Sequence, residues 1–94
     1  MRVTINVTKR DIDKGVAGDV NSCPVALAVS RVVDPDVFVS VADGDNVVVL
    51  ENEDNEYWEG SYPDKVGEFI EKVDGHEKVT PFSFSMRIPN KFLK

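Results

Sequence analysis

Cysteine, histidine and tryptophan each occur once among the 94 residues, and no apolar run is long enough to span a membrane. Each scarcity excludes something. A lone Cys23 rules out an internal disulfide and fits a reducing cytosol. One cysteine and one histidine cannot make a typical zinc site within one chain. The opening stretch MRVTINVTKRDIDKG has no long apolar core and already alternates like a strand, so neither a signal peptide nor a membrane anchor is expected. Positive charge is also in short supply. Eleven Lys and Arg stand against 17 Asp and Glu, for a net charge of −6. The basic residues are dispersed, so direct nucleic-acid binding is not expected. The glycines make no phosphate loop or dinucleotide fingerprint, because Gly15-Val16-Ala17-Gly18 does not follow a strand in the required pattern.

What is present suits one soluble globular domain covering residues 1–94, with 41% hydrophobic and 30% charged residues. Val3, Ile5 and Val7 alternate with Thr4, Asn6 and Thr8, which predicts a half-buried strand. Thr8 and Asp11 resemble a capping box opening a short helical turn that Gly15 stops. The next helix is expected to start near Pro24, with Ser22 or Cys23 as cap, and to bury Val25, Ala28, Val29 and Val32. Asp34-Pro35-Asp36 ends it. Residues 37–42 and 47–50 flank the turn signal Asp43-Gly44-Asp45-Asn46 and predict an antiparallel hairpin. Tyr57 and Trp58 extend the sheet briefly. A second long helix, capped by Ser61 or Asp64 with Pro63 in its first turn, buries Val66, Phe69, Ile70 and Val73 and ends at Gly75. Phe82, Phe84, Met86 and Ile88 form one face of a last strand, followed by a short basic tail. The expected fold class is α+β: a mostly antiparallel four-stranded sheet with two main helices, ferredoxin-like βαββαβ being the leading arrangement.

Three places invite chemistry. The start of the Pro24 helix could hold a small anion through its free amides, with Asn21, Ser22, Cys23 and Arg31 as the ligand set. Cys23 at a helix start is also a candidate reactive thiol, but it needs a base, and His76 lies in a distant turn. Tyr57 and Trp58, beside Glu53 and Glu56, are candidate contacts for a protein partner, since such rings favour interfaces. The carboxylates of 51–56 otherwise read as a solvated face. Asp43, Asp45 and Glu51 lack calcium-loop spacing, so no metal and no cofactor are expected.

The strings Asp11-Ile12-x-x-Gly15, Asp19…Cys23-Pro24-Val25-Ala26-Leu27-Ala28, Phe69-Ile70…Asp74-Gly75 and Val79-x-Pro81-Phe82-x-Phe84 together resemble a group of small, largely uncharacterised proteins of bacteriophages and prokaryotes. The resemblance spans most of the chain and implies a cytosolic accessory protein. It carries over no catalytic residue. The reading is a non-enzymatic protein-interaction module that modulates a host or defence factor. The alternative is an oligomeric sponge for a phosphorylated or nucleotide-like ligand at Asn21–Pro24. An enzyme using Cys23 is the weakest option.

Overall fold

The computed structural model describes residues 2–42 and 46–94. In order these form β1 (Arg2–Val7), α1 (Lys9–Lys14), α2 (Pro24–Val32), β2 (Phe38–Ala42), β3 (Val47–Glu51), β4 (Tyr57–Ser61), α3 (Asp64–Asp74) and β5 (Phe82–Arg87), with a short 3-10 turn over Asn90–Phe92. The class is α+β. The strands do not join in one sheet of four, however. β1 pairs antiparallel with β5, and β2, β3 and β4 form a separate antiparallel meander. The ferredoxin-like arrangement is thereby corrected. Its cause is β4, a full strand that takes the edge of β3 left open by β2, so that β3 has a partner on each side.

Local chemistry explains most boundaries. Ile5 and Val7 of β1 are buried and Thr4 and Asn6 exposed, as the alternation requires. Thr8 and Asp11 make the reciprocal capping box at α1. Gly15 ends α1 with φ −69°, so no left-handed cap is involved. It is glycine for space, since a Cβ there would meet Pro24 Cδ at 2.5 Å. α2 is buried at Pro24, Val25, Ala26, Ala28 and Val29, which matches its near-continuous apolar sequence. Cys23 is its cap position but makes no side-chain bond there. The cap of α3 is Pro63; Ser61 belongs to β4 and Asp64 to the first helical turn. The left-handed residue beyond α3 is His76 (φ 59°), one place after Gly75.

One apolar core joins these parts. It includes Ile5 and Val7, Val25 and Val29, Val39 and Val41, Val48 and Leu50, Val66, Phe69 and Ile70, and Phe84 and Met86. The expected basic tail is instead part of this core. Phe92 is fully buried, Leu93 bridges Val33, and the Asp34 N–H donates to the Phe92 carbonyl at 2.8 Å.

Candidate functional site

The helix start, singled out from sequence as an anion site, is closed. The Ser22 and Cys23 amides both donate to the Asp19 carbonyl, at 3.3 and 2.9 Å, and Pro24 has no N–H. The Val25 and Ala26 amides lie beneath Cys23, and both residues are fully buried. Burial pushes the Cys23 thiol up from its ordinary value, against the local amides that lower it, so the group is a packed thiol at neutral pH. Beside it, Gly18, Asp19, Val20, Val41, Ile70 and Asp74 leave a space of only about 40 Å³. His76 lines a different hollow with Ile12, Gly15 and Ala17.

Asn21 and Arg31 hold the fold together here. Asn21 donates its side-chain amide to the Val39 carbonyl (3.0 Å) and to Ser40 Oγ (2.8 Å). Arg31 lies in the last turn of α2, eight residues beyond Cys23, which is roughly 12 Å at the helical rise. Its guanidinium donates to both carboxylate oxygens of Asp11 and, at 2.7 Å, to the Asn6 carbonyl. Burial pushes the Asp11 carboxyl up, but Arg31 and the Thr8 amide outweigh it and hold the group below the usual 3.8. The four residues predicted to converge on a ligand thus split into three at a packed loop and one at the far end of the helix.

The surface that does assemble is the outer face of the β2–β3–β4 sheet. Residues paired across antiparallel strands project to the same side. Phe38 of β2 pairs with Glu51 of β3, and Glu51 pairs with Tyr57 of β4. The next row on this face is Ser40, Val49 and Glu59. Phe38 and Tyr57 are 59% and 60% exposed, the most exposed large hydrophobic side chains among the described residues. Glu51 and Glu59 are exposed as well, and the Tyr57 hydroxyl donates to Glu59 Oε1 at 2.8 Å, which pushes the phenol above its usual 10.0. No Lys or Arg stands on these two rows. Glu53, Asp54 and Asp36 are exposed at the end of the sheet where Phe38 and Tyr57 sit, around a hollow that includes Lys91.

Of the four partner contacts predicted from sequence, Tyr57 and Glu53 are at this surface. Trp58 projects to the other side of β4, where its ring lies over Gly60 and 6.4 Å from the Phe92 ring. Glu56 is engaged by Lys91 Nζ at 2.8 Å and Asn52 Nδ2 at 2.9 Å. Phe38 is the residue the sequence reading missed. It lies within a run of mostly apolar residues that starts at Val37, and only the odd-even phase, with Val39 and Val41 buried, turns it outward.

Two further observations bound the chemistry. Lys65, Lys72 and Lys78 surround a hollow of about 270 Å³ floored by Phe69, Val79 and Phe82, and among the described residues none of the three makes an ion pair. Among the described residues, no group of three or more His, Cys, Asp or Glu is placed to hold a metal, and no helix is long and apolar enough to cross a membrane. Asp43 and Asp45, weighed from sequence as oxygen ligands, lie outside the described residues. No family model, no curated protein and no solved structure matches this chain.

Proposed function

We propose that the protein is a non-enzymatic interaction module that binds a basic protein partner on the outer face of the β2–β3–β4 sheet. The carrying observation is the cross-strand row Phe38–Glu51–Tyr57, two exposed rings flanking a carboxylate. Exposed aromatic side chains on a rigid sheet supply contact area with little ordering cost, and aromatic anchors dominate interface energetics. The acidic surroundings, Glu51, Glu53, Asp54 and Glu59, set the sign of the partner. We read the target as a host or defence factor in a bacterial cytosol, a reading supported by the resemblance of the sequence strings to small phage and prokaryotic accessory proteins.

The rings are exposed, so Phe38→Ser with Tyr57→Ser leaves the core intact. The test is affinity capture from bacterial cytosol with wild type and the double variant, followed by binding measurements with the purified captured protein. The expected result is a partner whose affinity falls by about 2 kcal/mol or more, roughly thirtyfold, in the double variant. Capture of the same proteins with equal affinity by both forms would refute the reading.

A further inference from the structure

Strand backbones point their N–H and C=O groups alternately to the two sides, so the bonding phase of one strand propagates across a sheet. Here the phase is fixed at β2. The Val41 N–H donates to the Val20 carbonyl at 2.8 Å, and the Val39 carbonyl accepts from Asn21. Val39 and Val41 therefore face away from β3, and Phe38, Ser40 and Ala42 face towards it. Through the register, Val48 and Leu50 of β3 turn to β4, where Gly60 and Trp58 stand opposite them. Tyr62 keeps the same phase, donating its N–H to the Asn46 carbonyl at 3.1 Å. Tyr57, Glu59 and Ser61 are thus left with outward-pointing backbone groups. All three residues are exposed, and no described residue bonds those groups. β5 comes near β4 where the two sheets meet, but it belongs to the other sheet.

The two edges of the sheet are treated differently. On β2 the Val20–Asn21 segment bonds the outward Val41 N–H and Val39 carbonyl, whereas on β4 no described residue bonds the outward groups of Tyr57, Glu59 and Ser61. An open edge of this kind is a template for an added strand. We infer that the partner of the preceding section supplies an extended basic segment that pairs along β4 at Tyr57, Glu59 and Ser61. Its alternate side chains then fall on opposite faces. Lys or Arg at every second position lies beside Glu59 and Tyr57, within reach of Glu51 in the next strand, and the residues between face the Trp58 side and are small or apolar. A second copy of the chain suits the edge poorly, because it brings its own Glu59 and a further net charge of −6 to the same surface. This inference rests on the acidic-face reading and adds the backbone pairing to it.

Two synthetic peptides of alternating Lys and Val test it, one unmodified and one N-methylated through its central residues. Both carry the same charges, and only the first can pair as a strand. In an NMR titration of the full chain, the unmodified peptide is expected to shift the Tyr57, Glu59 and Ser61 amides and to protect them from exchange. The methylated peptide is expected to bind at least tenfold more weakly, and Glu59→Lys to weaken the unmodified one at least tenfold. Equal binding of the two peptides overturns strand addition while leaving the acidic face as a docking surface. Failure of the unmodified peptide to move those amides, or pairing of the protein with itself through them, also overturns it. The capture experiment with the Phe38 and Tyr57 variant reports on the face independently.

Discussion

Asp11 shows how one residue type can be read correctly in part and misassigned in part. Its place in the capping box with Thr8 was legible, because that motif is local and its two partners stand three positions apart. Its pairing with Arg31 was not, because sequence separation of 20 residues says nothing about which end of α2 lies over α1. Arg31 therefore looked free to serve a ligand. Asp11→Ala removes both cap and ion pair. Arg31 is about half exposed, so the pair belongs with the weaker class, and the expected loss is about 2 kcal/mol, or a drop in Tm of roughly 8–16 °C. The pH dependence has a definite sign. The folded pKa lies below the ordinary value, so the stabilisation is complete above pH 3.8 and drains away as the pH falls below it through the folded value. Urea unfolding of both forms across this range is expected to show their stabilities converging in acid.

At the scale of the element, β4 was the least legible part of the fold. Tyr57 and Trp58 suggest a strand, but Glu59-Gly60-Ser61 has poor strand propensity, and only pairing with β3 carries the strand through it. Gly60 is nonetheless required. A Cβ at this position would stand 2.0 Å from Cη2 of Trp58, so the glycine is the bed on which the indole lies. Gly60→Ala must push the ring off Phe92, at a cost of about 1–3 kcal/mol. Because Trp58 is the single tryptophan, its emission reports the move directly. A red shift with a lowered Tm is expected; an unchanged spectrum and midpoint would contradict the packing described. By contrast, β1, α2 and α3 were legible because each carries its apolar period on its own residues.

For the whole molecule, the sequence disclosed the α+β class and most of the core but not how the strands divide. Periodicity tells which side of a strand is buried and is silent on which strand lies next to it. The same limit hid the last residues. The Phe92-Leu93 pair is framed by Lys91 and Lys94 with no repeating pattern, so it reads as part of a tail, yet Phe92 packs near Trp58 and its carbonyl bonds the chain at the end of α2. Phe92→Ala is expected to cost about 3–5 kcal/mol. That is a large share of the roughly 5–15 kcal/mol that holds a small domain together. Urea unfolding checks this, with Lys94→Ala as a surface control expected to stay within about 0.5 kcal/mol of wild type.

The Asn21 amide and the Val20 carbonyl, which engage the β2 edge, also set how far any growth of the sheet can go. A meander open at both sides could be extended from each, copy upon copy, towards a fibre. With the β2 side engaged by the chain's own loop, the three-stranded sheet offers the added strand one place, next to β4. A partner that binds there as proposed meets one such edge per molecule, so one segment pairs directly with each copy and the sheet does not grow from its other side.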